Sequence, residues 1–136
     1  MREITVEASL DKIRAVTDFV NADLTALGCS LRVRIQIDVA IDELFSNIVR
    51  HAYGMKPGPV TVRVESEGDP PGVAVTFIDR GIPYDPVSAD FVDTTHLPAN
   101  DRPIGGLGVY MVKKSMDDMC YRYQDGQNIL RIRKRI

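Results

Sequence analysis

Residues 60–77 read Val60-Thr61-Val62-Arg63-Val64-Glu65-Ser66-Glu67-Gly68-Asp69-Pro70-Pro71-Gly72-Val73-Ala74-Val75-Thr76-Phe77, and this stretch decides the fold. Val60, Val62 and Val64 alternate with Thr61, Arg63 and Glu65, the two-residue period of a strand with one covered face. Pro70, Pro71 and Gly72 supply a turn, and Val73, Val75 and Phe77 resume the apolar run. The stretch predicts an antiparallel pair.

Upstream, Val33, Ile37, Ile41, Leu44, Ile48 and Ala52 repeat at helical spacing over residues 31–53, and Gly54 follows as a stop signal. Before that, Ser9 offers an N-cap, and Ile13, Val16, Val20, Leu24 and Leu27 mark a first helix from about residue 10 to residue 27, closed by Gly28. Residues 2–8 alternate as a short leading strand. Downstream, residues 82–104 have no sustained period and contain Pro83, Pro86, Pro98 and Pro103. A loop of that length in a small domain reads as a functional lid or a disordered segment. After Gly105, Gly106 and Gly108, Val109–Met119 reads as a third helix with Val109, Val112, Met116 and Met119 on its buried stripe. Tyr121 and Tyr123, the turn Asp125-Gly126 and Ile129–Ile136 form a closing strand pair. The expected fold is α+β: a two-layer sandwich whose mixed, mostly antiparallel sheet is covered on one face by three helices.

The chain has 136 residues, which predicts a single domain over 1–136. With 44% apolar and 26% charged residues, it falls outside the disordered, collagenous and coiled-coil classes. Lys and Arg number 17 against 19 Asp and Glu, a net charge of −2, which argues against DNA or RNA as the ligand. Arg131, Arg133, Lys134 and Arg135 form a local basic cluster, but their alternation with Leu130 and Ile132 fits a closing strand with one solvated face. No apolar run reaches membrane-span length and no signal-peptide stretch follows Met1, so a cytoplasmic protein without membrane contact is expected. Cys29 and Cys120 are isolated and read as buried free thiols, and His51 and His96 are too few for a metal cluster.

Three features carry chemistry. Glu43 and Asn47 stand four residues apart on the second helix, about 40° around it and about 6 Å along it, and so share a face. They are either a polar edge stripe, like Asp38 and Asp42, or a carboxylate that accepts a proton beside an amide that ligates a hard cation such as Mg²⁺. Asp79-Arg80-Gly81 ends the Val73–Ile78 strand. It is either a plain turn or an acceptor for an exocyclic amine, with Gly81 giving a ring room to approach. Gly105-Gly106-Leu107-Gly108 opens a helix, where the glycines serve close packing or let backbone N–H groups cradle phosphates. The pattern fits neither a Walker nor a Rossmann fingerprint.

In this order the three features resemble the GHKL ATP-binding superfamily of gyrase-type and histidine-kinase ATP-binding domains. Within it the nearest likeness is to small bacterial anti-sigma factors and switch-protein serine kinases. Asp42-Glu43-Leu44-Phe45-Ser46-Asn47 followed by His51-Ala52-Tyr53-Gly54 resembles that branch's N box. Asp79-Arg80-Gly81-Ile82-Pro83-Tyr84-Asp85-Pro86 resembles its D-x-G-x-P-F-D-P segment, with Tyr84 for the usual Phe. Gly105-Gly106-Leu107-Gly108, continuing into Met116-Asp117-Asp118, resembles its second glycine box. The likeness runs over roughly residues 5–134.

What the resemblance implies is a Bergerat-type fold that binds Mg²⁺-ATP beneath a lid over about 82–104. Asn47 would ligate Mg²⁺, Asp79 would accept from the adenine amino group, and Gly81 would make room for the base. Gly105, Gly106, Leu107 and Gly108 would hold phosphates, Arg102 would reach the β- or γ-phosphate, and His51 would line or pack the pocket. Glu43 would be the general base for a serine on an anti-sigma factor antagonist, with a sigma factor as a second ligand and a homodimer allowed. A nucleotide-sensing module without kinase activity is the alternative, and an interaction protein without nucleotide is a third reading. One departure stands out: many members support the adenine-binding Asp with a closing-strand Thr, whereas this chain reads Gly126-Gln127-Asn128.

Overall fold

A computed structural model describes residues 1–68, 71–87 and 106–136. The chain forms strand β1 (Arg2–Glu7), a short 3₁₀ turn (Leu10–Lys12), helix α1 (Ile13–Ala26), helix α2 (Leu31–Asn47) and a π turn (Ile48–Ala52). Strands β2 (Pro59–Glu67) and β3 (Gly72–Asp79), helix α3 (Gly106–Ser115), and strands β4 (Asp118–Gln124) and β5 (Gln127–Arg135) complete it. The sheet order is β1-β2-β3-β5-β4, and all four pairings are antiparallel. The α+β expectation holds, with the sheet antiparallel throughout.

The alternation in residues 60–77 works as the two-residue period requires. Val60, Val62 and Val64 have no exposed surface, and they pair with Asp79, Phe77 and Val75 on the same face. The helices cover that face. Phe45 from α2 and Phe77 from β3 are fully buried, and such side chains contribute about 1.5–3 kcal/mol each by leaving water. Ser30 caps α2 by accepting from the Val33 N–H at 3.3 Å. Gly28 ends α1 in the left-handed region at φ +73°. The predicted Asp125-Gly126 turn has φ of 55° and 75°, the geometry of a two-residue hairpin turn.

Three sequence expectations are corrected. The second helix is not uniform to residue 53: it widens into a π turn after Asn47, a feature frequent at functional sites. The third helix starts and stops about three residues earlier than its periodicity predicts. The Asp117 N–H donates to the Arg133 carbonyl, so Met119 packs against the core from β4 instead of from a helix. Cys29 is buried as expected, but Cys120 is exposed, because its parity in β4 turns it to the uncovered face of the sheet. Arg131 and Arg133 lie on the strand face opposite Leu130 and Ile132, half-buried, and both pair with Glu67, whereas Lys134 has the other parity and donates to the Ser115 carbonyl. No helix among the described residues is long and apolar enough to cross a membrane.

Candidate functional site

Asp79 owes its position to strand register. It is the last residue of β3 and shares the core-facing parity of Val75 and Phe77, so the alternation carries a carboxylate into the covered face at the sheet's end. It is 3% exposed. Its Oδ1 accepts from the Gly81 N–H at 2.9 Å and from Asn128 Nδ2 at 2.8 Å. Burial pushes the carboxyl above its ordinary pKa, and these two hydrogen bonds pull against that rise. The result is a desolvated acceptor at the base of a cavity.

Asn47 and Asp79 line the same small cavity, with Ala52, Tyr84, Pro86, Tyr121 and Asn128 around them. The space holds roughly one water molecule. Asn47 is 5% exposed, and its Nδ2 is buried without a hydrogen-bond partner. An orphaned amide of this kind costs about 1–3 kcal/mol, which a ligand entering the cavity would recover. The described residues offer no group of three or more His, Cys, Asp or Glu suited to a metal. Asn47 would supply an oxygen to Mg²⁺, a cation that prefers oxygen ligands.

Gly81 follows Asp79 and lies against the end of the π turn. A Cβ there would come within 3.0 Å of the Ala52 carbonyl, and the Ile82 N–H donates to that same carbonyl at 2.8 Å. The glycine thus serves backbone-to-backbone packing, not a ring's approach alone. Tyr53 supports the same corner: its hydroxyl donates to the Pro59 carbonyl at 2.6 Å and accepts from the Arg80 N–H at 2.8 Å. His51 is exposed on the π turn and stacks on Tyr84, with centroids 4.9 Å apart.

Glu43 is half-buried one helical turn before Asn47, so the shared face expected from the sequence exists. Its carboxyl group lies against Gly108, in the space a Cβ there would take. Burial and the neighbouring Asp42 raise the Glu43 pKa, while Arg50 lowers it. Gly106 and Gly108 belong to the first turns of α3 instead of a loop before it, and Leu107 is helical with its side chain outside the described residues. Arg102, Gly105 and most of the expected lid over 82–104 lie outside the described residues, as does His96. The described part, residues 82–87, places Tyr84 and the buried Pro86 on the cavity.

The sequence reading missed the role of Asn128, which is 3% exposed and lies directly across from Asp79 in the β3–β5 ladder. A signal was available, because Asn128 stands in the core-facing parity of Leu130 and Ile132. Tyr121, whose hydroxyl donates to Asn128, was missed for the same reason.

A family model described as a histidine kinase-like ATPase domain matches residues 6–134. The chain belongs to that family. Among relatives of this histidine kinase-like ATPase domain, serine-protein kinase RsbW of Bacillus cereus (strain ATCC 10987 / NRS 248) is 32% identical over 139 residues, covering 88% of this chain and 79% of its own. Serine/threonine-protein kinase BtrW of Bordetella bronchiseptica is 29% identical over 102 residues, 74% of this chain and 70% of its own. The fold is shared with a crystal structure of the RsbU and RsbW domains of Rv1364c from Mycobacterium tuberculosis, at a TM-score of 0.63 and 18% identity. That match covers 99% of this chain, which spans 32% of that one.

Proposed function

We propose that this ATPase-family domain is an ATP-dependent serine/threonine-protein kinase and anti-sigma regulatory factor that phosphorylates an anti-sigma factor antagonist. One observation carries the reading: a buried acceptor, Asp79, and an orphaned amide, Asn47, line one cavity, and Glu43 stands one helical turn before Asn47 with its carboxyl against Gly108 of α3. The single domain spans 1–136, its lid runs over about 82–104, and its place is the cytoplasm.

In this reading Asp79 Oδ2 accepts from the amino group of adenine, since Oδ1 is already occupied by two donors. Asn47 holds Mg²⁺, whose chemistry when bound is to neutralise phosphate charge. The N-terminal turn of α3, with Gly106, Leu107 and Gly108, receives phosphate oxygens by its N–H groups, and Gly105 joins them in that role. Arg102 adds positive charge there and His51 closes the site's edge through Tyr84. Glu43 takes the proton from the substrate serine hydroxyl, a task helped by burial, which raises its pKa above the ordinary carboxyl value. Partner exchange follows if the antagonist and a sigma factor prefer different nucleotide states.

Thermal melts with Mg²⁺-ATP, Mg²⁺-ADP and Mg²⁺-GTP test the site. ATP at about 100 times its dissociation constant adds ~2.7 kcal/mol, several degrees for a domain of this size. Absence of any adenine-nucleotide shift overturns the proposal. Asp79→Asn is expected to abolish that shift and yet to melt at or above the wild-type temperature near neutral pH. The sign follows from the raised Asp79 pKa: stability present below the ordinary carboxyl pKa is lost as pH rises through the higher folded value. An amide at 79 keeps an acceptor for Gly81 and Asn128 and avoids that loss. The advantage of the variant should shrink on acidification; a lower melt at every pH would count against Asp79 as a strained, functional carboxylate.

A further inference from the structure

The amide of Asn128 has two N–H donors and two lone pairs, and all four are engaged. Nδ2 donates to Asp79 Oδ1 at 2.8 Å and to the Ile82 carbonyl at 2.9 Å. Oδ1 accepts from the Tyr84 N–H at 3.0 Å and from the Tyr121 hydroxyl. A backbone N–H only donates and a carbonyl only accepts, so this set of partners admits one orientation of the amide. It follows that Asp79 Oδ1 faces two donors, Asn128 Nδ2 and the Gly81 N–H, and has no room for a proton of its own.

The consequence falls on Asp79 Oδ2. A purine with a 6-amino group needs that oxygen bare, whereas a 6-oxo purine needs it protonated. Burial favours the protonated acid, and the Asn128 donor opposes it. The same amide also grips the chain leaving β3, through Ile82 and Tyr84, next to the cavity that Tyr84 helps to close. A threonine at this place, with one hydroxyl donor, could serve Asp79 but not Ile82 as well.

We propose that Asn128 is a positioning residue that sets the base selectivity of the site, holding Asp79 as an acceptor for a 6-amino purine and tying that acceptor to the Gly81–Tyr84 turn. The inference rests on the nucleotide reading above. Calorimetry with Mg²⁺-ATP and Mg²⁺-ITP, which differ at the 6 position, tests it on wild type, Asn128→Leu, Asn128→Asp and Asn128→Thr across the mildly acidic to neutral range. The Leu and Asp variants are expected to lose about tenfold or more of the preference for ATP. In both, ATP affinity should fall away at higher pH than in wild type as the solution is acidified, because Asp79 holds its proton more tightly. The Thr variant should keep most of the preference.

A Leu or Asp variant that folds, by its circular-dichroism melt, with wild-type preference and the same acid limb overturns the role of Asn128. Should neither fold, a folded Thr variant without preference overturns it. Wild type binding neither nucleotide overturns the nucleotide reading and this inference with it. Wild type binding ATP beside unchanged variants overturns this inference alone.

Discussion

Gly81→Ala is expected to lower the melting temperature by about 10 °C. The added methyl would lie within 3.0 Å of the Ala52 carbonyl oxygen, carbonyl carbon and Cβ, so two stretches of backbone must part to admit it. Neither stretch can yield cheaply. Ala52 ends the π turn, is 4% exposed, and accepts from Ile82 at 2.8 Å. On the other side, the Gly81 N–H is committed to Asp79 Oδ1 at 2.9 Å, and Asp79 to Asn128. Overpacking of this kind costs about 1–3 kcal/mol where side chains give way, and about 3 kcal/mol is a reasonable figure where backbone must. For a domain of this length each kcal/mol is worth roughly 3–6 °C. The control is Gly68→Ala, whose Cβ would meet nothing within 4 Å and whose effect should stay within about 0.5 kcal/mol. A Gly81→Ala melt indistinguishable from the control would mean that the two backbones are not locked together. Because the parted segments carry Asp79 and Tyr84, ATP binding should weaken along with stability.

The same corner shows what a sequence exposes and what it hides. Alternation along residues 60–77 gives β2 and β3, and carried two residues past Phe77 it places Asp79 toward the core. Helical spacing gives the buried faces of α1 and α2, including the shared face of Glu43 and Asn47. These are local periods, readable within a dozen residues. Asn128 is different: parity with Leu130 and Ile132 turns it to the core, but its partner lies 49 positions away in sequence and local spacing does not name it. The widening of α2 into a π turn is also invisible to a period of 3.6, since the apolar spacing Leu44, Ile48, Ala52 suits either geometry. At α3 two glycines misled: read as part of a loop, Gly106 and Gly108 lie within the helix, where Gly108 gives Glu43 its place. The candidate roles of Glu43, Asn47 and Asp79 came from order and spacing across the whole chain, which is how a resemblance supplies long-range information that local patterns lack.

Glu43→Gln is expected to reduce transfer of phosphate from ATP to a serine of the antagonist by about 10²–10⁴-fold while leaving the Mg²⁺-ATP melting shift in place. The amide keeps the size of the carboxyl but cannot accept the hydroxyl proton. Burial, reinforced by Asp42, raises the Glu43 pKa, so the wild-type rate should climb with pH as the acid ionises, and the variant should lack that limb. Gly108→Ala approaches the same group from the other side. Its methyl would occupy the space of the Glu43 carboxyl, and the end of a flexible side chain can swing away where backbone cannot. An alanine inside α3 also gains about 0.5–1 kcal/mol over glycine in helix formation. The variant should therefore melt at or above the wild-type temperature and still transfer phosphate at least about tenfold more slowly, as a displaced base requires. Stability and activity moving in opposite directions would separate displacement of Glu43 from general damage to the fold. Wild-type transfer by both variants would remove Glu43 from the chemistry, whereas ATP binding without transfer in wild type itself would mark the domain as a nucleotide sensor that acts on its partners by affinity alone.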